Sequence, residues 1–425
     1  LLSIWLVQKY RNRRVISVLC SFFARVPLFV IGLLPLFFSK DTSINVLLFF
    51  LFFHYLFASI SGASWNSWIK DVVPGKILGS YFSKKARLTQ ILNVALSLAA
   101  AMMIDYVKTN LPQYELAAYG GLFFLGGLMG MLGVYFLLRV PEPETTLENG
   151  NLFSLLNKPL KDINFRNLLT FQSFYAFATS LALPFFVVYM MKTIGLSFAW
   201  IIVLGLLAKF GSIISLKFWG TFSDKYSNKT IIRICAPIFI TCIFSWTFVA
   251  MAPNHIVRLL MLIMIHIVSG ISAAGIDLAI NNMAIKLAPA NEAISYICAR
   301  NIVVALFAAA GPIAGGLMAD FFATHQFNFN VEWHGASGVS KFHLLELQNW
   351  NFFFVISAVL ALLSMRLVNR VREQGEAHKE MVTLVMRKSF ARGFRKNMSA
   401  GSIRHRITHP VLIPVIIKRM RTFKL

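Results

Sequence analysis

A carboxylate, two imidazoles and two cations stand deep inside apolar stretches of the chain: Asp277, His54, His266, Arg25 and Lys209. In hydrocarbon each costs at least about 2.5 to 3.5 kcal/mol on insertion scales, so each requires a partner or a task. Asp277 is the one carboxylate among them and could take up and release a coupling proton, with Lys209 or Arg25 as its charge partner. Lys209 could instead hold an anionic group of a solute. Helical spacing puts His266, Ser269, Gly270, Ala273, Asp277 and Asn281 on one face. That face is small and polar, suited to line a cavity or another helix and unsuited to lipid. His54, Ala58, Ser61, Trp65 and Trp68 form a second stripe, in which Trp65 and Trp68 could stack on a ring or sugar, or simply mark the membrane interface where Trp is common. For both histidines, and for Asp277, the other reading is hydrogen bonding that joins helices and has no further task.

Other chemistries lack their residues. There is no P-loop, no H-E-x-x-H and no G-x-S-x-G. Cys20, Cys235, Cys242 and Cys298 lie in or beside apolar runs without C-x-x-C spacing, which reads as packing. The sequence therefore predicts no catalytic residue, no metal site and no cofactor, and the chain reads as something other than an enzyme.

The elements that must hold these side chains are membrane spans. With 57% hydrophobic and 14% charged residues and 40 Phe in 425, the chain has too little polar surface to fold in water. Runs long enough to cross hydrocarbon lie near 15–38, 44–69, 88–105, 116–138, 167–191, 197–219, 231–252, 257–285, 295–323 and 350–368. Lys and Arg set their orientation: segments 9–14, 70–87, 139–166 and 225–233 hold four, five, four and three, while the alternate connections hold one each. The basic side, with the linker and the tail, is predicted to face the cytoplasm. Of the net charge of +24, +11 falls from Arg370 onward, where 14 Lys/Arg face 3 acids. Such a tail is drawn to anionic lipid at about 1 kcal/mol per charge, and no nucleic-acid recognition motif accompanies it.

The chain also repeats itself. Lys9, Tyr10 and Asn12 return as Lys225, Tyr226 and Asn228, and Pro74, Tyr81, Lys85 and Asp105 correspond to Pro289, Tyr296, Arg300 and Asp320 at nearly the same spacing. A repeat this long in a lipid-soluble chain means two similar membrane halves. The boundary is the polar linker that opens Pro141-Glu-Pro-Glu. Expected domains are an N-terminal half over 1–139, a linker over 140–166, a C-terminal half over 167–369 and a basic tail over 370–425. The segment 324–348 reads as a solvated external connector.

On Gly220, Asp224, Lys225 and Lys229 the chain resembles the major facilitator superfamily, whose signature loop runs G-x-x-x-D-[RK]-x-G-x-[RK]-[RK]; Ser227 and Thr230 depart from it. The first copy keeps Lys9, Arg13 and Arg14 but carries Ile4, Gln8 and Arg11 in the small and acidic positions. The stretch from Lys158 to Arg166, followed by Pro184 to Tyr189, also resembles a family pattern at the entry to span 7. Gly311-Pro-Ile-Ala-Gly-Gly316 is similar to an antiporter glycine motif but stands in the opposite half, so it reads as packing and a hinge. The resemblance extends to about residue 370. It implies an all-α membrane protein of two pseudo-symmetric six-helix bundles, with the ten runs as spans 3 to 12, residues 1 to about 14 as the stub of span 2, and span 1 outside the sequence. It further implies a conformational latch at the signature residues, and a bacterial-type, monomeric inner-membrane transporter of a small organic solute working by alternating access. Asp277 and the missing ATP-binding motif suggest protons as the coupling ion. The alternative is a transport-inactive sensor or scaffold of the same fold, suggested by the altered first signature.

Overall fold

The computed structural model describes residues 2–37, 40–143, 152–289, 292–322, 324–335, 338–348 and 350–373. Most of the basic tail lies outside the described residues, and so does its proposed lipid contact. In order the helices are α1 (Leu2–Tyr10), α2 (Arg13–Phe37), α3 (Lys40–Val72), α4 (Leu78–Asn110), α5 (Glu115–Leu137), α6 (Leu152–Lys161), α7 (Ile163–Ala182), α8 (Phe185–Lys192), α9 (Phe198–Lys225), α10 (Asn228–Ser245), α11 (His255–Leu287) and α12 (Ala293–Phe322); strands β1 (Gln326–Gly335) and β2 (Gly338–Gln348) precede α13 (Asn351–Val368). Among the described residues, ten helical stretches are long and apolar enough to cross a membrane, and they coincide with the ten predicted runs. The protein is a multi-pass integral membrane protein.

Local chemistry explains where the helices stop. The span near 167–191 is broken into α7 and α8 at Pro184, which has no N–H to give to the helix. α7 begins at Ile163, earlier than expected, because the Asp162 carboxylate accepts from the N–H groups of Asn164 and Phe165 at 2.9 and 3.0 Å. α9 continues past its apolar run to Lys225, so Gly220 and Asp224 lie on its last turns and are helical. Ser227 then caps α10 by accepting from Thr230 N at 3.1 Å. The family's glycine is replaced there by a residue with a different use.

One difference from expectation is large. Residues 326–335 and 338–348 pair as antiparallel strands, with Gln326 opposite Gln348, Phe327 opposite Leu347, Gly335 opposite Gly338 and an irregularity between Phe329 and Asn330. Alternation of apolar and polar residues from Phe327 to Trp333 is the strand period.

Within the N-terminal half α2 packs on α3 and α5; within the C-terminal half α7 packs on α12 and α13, and α11 on α9 and α10. α4 crosses over to pack on α9, so the halves touch. The C-terminal half has an aromatic core on the side of the strands, where Phe186 stacks on Trp246 at 4.5 Å beside buried Tyr189 and Phe354. On the linker side a second apolar cluster joins Ile4, Val7, Ile16, Cys20, Ile60 and Ala63 of the first half to Ile294 and Cys298 of α12, with Leu155 of α6 among them.

Candidate functional site

Two constellations occupy the space between and within the halves. The first is on the linker side. The N–H groups of Gly79 and Ser80 in the first turn of α4 have no partner within that helix. The Asp224 carboxylate supplies one to each, at 2.7 and 2.8 Å, and takes the Ser80 hydroxyl at 2.5 Å. An anion here also faces the positive end of the α4 dipole. Contact this close requires glycine on both sides. A Cβ on Gly79 would come within 2.7 Å of the Asp224 carboxylate, and one on Gly220 would run into the side chain of Ser83.

Behind this contact a polar chain ties α9, α10 and α11 together. Ser223 Oγ donates to Asn228 Oδ1 at 2.6 Å and accepts from Asn282 at 3.0 Å. Glu373 accepts from Asn228 Nδ2 at 2.6 Å and from Lys229 N at 2.8 Å, while the Lys229 ammonium reaches Asn369 O at 3.3 Å. The first copy of the signature works differently. Arg13 is fully buried, pairs with Asp71 at 2.6 Å and with Glu142 at 3.1 Å, and donates to Ser67 O. Glu142 also accepts from Arg13 N and Arg14 N. Glu142 and Glu373 are thus equivalent caps on α2 and α10, and the first copy braces its own half. Lys9 lies over the rings of Trp5 and Tyr10, and Lys225 is exposed.

The second constellation is inside the C-terminal half. Asp277 on α11 reaches solvent although Ile276 and Leu278 beside it are buried. The charges that act on it are Lys209 of α9 and Arg300 of α12, and the Tyr175 phenol of α7 is within the same electrostatic reach. Arg300 Nε donates to the Gln172 amide oxygen at 2.7 Å. Sequence reasoning paired Asp277 with Lys209 or Arg25 and used Arg300 only as a marker of the repeat. Its position inside the run 295–323 was the available signal; nothing in the sequence singled out Gln172 or Tyr175.

The remaining candidates are dispersed. Arg25 lies along Gly130 of α5, away from Asp277's partners. His54 donates through Nδ1 to Ala24 O at 2.6 Å, joining α3 to α2. His266 makes the corresponding bond within its own helix, to Leu262 O at 2.8 Å, and meets Trp246 edge-on. Trp65 carries the Lys85 ammonium 3.6 Å over its ring. Asn281 is half-buried next to Asn282, which makes the bond to Ser223. Trp68 cannot stack on a ligand: it is fully buried and donates to Pro141 O at 3.0 Å, fixing the start of the linker.

The family model of the Major Facilitator Superfamily matches residues 1–312. Among solved structures the chain is similar to a bacterial homologue of the iron transporter ferroportin in its outward-facing state, at 13% identity over 87% of this chain and 85% of that one, with a TM-score of 0.61. The E. coli fucose:proton symporter gives 10% identity, 88% and 87% coverage and a TM-score of 0.62. A proton:xylose symporter gives 12%, 90% and 85%, and 0.59. No curated protein sequence matches the chain.

Proposed function

Since the chain belongs to the Major Facilitator Superfamily, we propose that it is a secondary active transporter that moves a small organic solute across a bacterial inner membrane by alternating access. The observation that carries this reading is Asp277, a solvent-reaching carboxylate held among Lys209, Arg300 and Tyr175 in the interior of a helical half. Charges in such a place cost free energy, and transport of a solute or ion is the task that explains keeping them. In this reading the chain acts as a monomer with the linker side and tail in the cytoplasm, which the distribution of Lys and Arg supports.

The latch supplies the conformational half of the mechanism. Asp224 on the α4 N-terminus holds the halves together on the linker side, an arrangement that in this reading is closed to the cytoplasm. Opening to the cytoplasm breaks the Asp224 contacts while the Arg13 and Glu373 networks keep each half rigid. Two of the similar structures are proton symporters, in keeping with Asp277 as the coupling site. When Asp277 is charged it balances one neighbouring cation; when it takes a proton, that cation is freed for the solute.

The test begins with thermal unfolding of the detergent-solubilised protein against organic anions, sugars, ferrous ion and cationic drugs. A ligand at 100 times its Kd stabilises a folded state by about 2.7 kcal/mol. A saturable shift followed by counterflow in proteoliposomes, with Asp277→Asn retaining counterflow but losing uphill uptake driven by a pH gradient, supports the reading. A flat panel from folded protein, or counterflow absent for every ligand that binds, overturns it in favour of a sensor or scaffold.

A further inference from the structure

The hydrogen-bonding inventory around Asp277 is unbalanced. Gln172 is 2% exposed, and its oxygen is occupied by Arg300 Nε, so its amide nitrogen is a donor; that nitrogen is buried with no acceptor. Tyr175, one turn further along α7 on the same face, has a buried phenol in the same condition. Because Gln172 holds Arg300 at Nε, the outer guanidinium nitrogens are left to other partners. Nη1 makes one long bond, to Asn301 Oδ1 at 3.4 Å. Lys209 is exposed, and among the described residues neither it, Arg300 nor Asp277 makes an ion pair within 4.0 Å.

An ammonium and a guanidinium thus act on the Asp277 carboxylate without pairing with it, and the guanidinium is held by an amide whose own N–H, like the Tyr175 phenol one turn away, has no acceptor. We propose that the missing acceptor is the solute: a small organic anion whose carboxylate or phosphate is forked by Arg300, supported by Lys209 and the Gln172 amide. This rests on the transporter reading and adds the substrate class to it. Planar, bidentate recognition of such oxyanions is what a guanidinium fixed at Nε does best. Arg300 and Gln172 lie about 10 and 13 Å along their helices from the linker-side ends, within the membrane-spanning segments. Asp277 competes with the anion for both cations, and a proton on Asp277 removes that competition. The repeat makes Lys85 the counterpart of Arg300, but the Trp65 ring already covers its ammonium. The site is accordingly built in one half.

Binding is measured by calorimetry on the full chain in detergent, with succinate, benzoate, glucose 6-phosphate, fucose and Fe2+ as probes. Saturable binding of at least one anion is expected, carboxylates and the phosphate separating the two headgroups, with no saturable binding of fucose. Arg300→Gln should weaken the anion at least tenfold. Gln172→Glu, which keeps the side chain's shape and places a carboxylate in the site, should abolish anion binding in a protein that melts normally; Lys217→Gln should change nothing. Failure of all three anions to bind folded protein, or anion affinity unmoved by both Arg300→Gln and Gln172→Glu, overturns the proposal. Fucose or Fe2+ binding followed by counterflow rejects the anion while leaving the transporter reading intact. Anion binding without counterflow keeps the site and rejects transport.

Discussion

Asp224 and Arg11 occupy corresponding stretches of the two repeats and show what one side chain can decide. Asp224→Asn keeps an acceptor for the α4 N-terminus but removes the charge, a loss of about 1 kcal/mol. Opening at that end should then rise about fivefold. Hydrogen exchange should show it as faster exchange at Gly79 and Ser80 with Leu204 in α9 unchanged. Arg11 stands where the family pattern has glycine and holds φ at 50°, a conformation that costs an L-residue about 1 kcal/mol. Arg11→Gly should raise stability by up to about 1 kcal/mol in thermal unfolding, and a lower melting point would show that the arginine's contacts outweigh its strain. Asp277 and Lys209 stood out because charge in an apolar run is anomalous; Arg300 carried the same signal inside the run 295–323 and served only as a marker of the repeat. Gln172 did not stand out, since a neutral amide on a span is ordinary until its neighbour's guanidinium is in place. Asn281 and Asn282 make the same point by one residue: helical spacing selected the first, and packing against Ser223 uses the second.

Helices were the readable elements, since about 20 apolar residues admit few other structures in lipid. The strand pair at 326–335 and 338–348 was missed although its alternation was visible, because an external connector between spans has no packing partner in the sequence to argue from. Networks at helix ends were equally hidden: Glu142 and Glu373 cap α2 and α10 from distant segments, and only the fold brings them there. These caps predict unequal consequences. Arg13→Leu would leave Asp71 and Glu142 facing each other without their cation, so the N-terminal half should lose about 3 kcal/mol, read as a lower unfolding midpoint with the C-terminal half unaffected. Arg13→Lys should recover only part, because one ammonium cannot meet Glu142, Asp71 and Ser67 O together. Equal stability of Arg13→Leu and the parent would show that the buried charges contribute no net hold.

Among the described residues, contacts that close the halves on the linker side include Asp224 on α4, the Lys70 ammonium on Ala288 O, and the apolar cluster around Leu155. Alternating access is one transition of the whole molecule, so all three must break together, and removing any one should shift the same equilibrium. Leu155→Ala deletes buried apolar surface contributed by the linker helix, at a cost of about 2 kcal/mol to the closed form. Combined with Asp224→Asn the total should approach about 3 kcal/mol, since the sites are distinct and share no partner. That is roughly a hundredfold change in the open-to-closed ratio. Single-molecule energy transfer between labels at exposed positions 76 and 166, one on each half, measures the ratio directly. Additive shifts place α6 inside the gate, as a segment that must leave for the cytoplasmic side to open. If Leu155→Ala lowers the melting point but leaves the ratio where Asp224→Asn put it, then α6 is packing on one half, and the gate lies in the α4–α9 contact and Lys70.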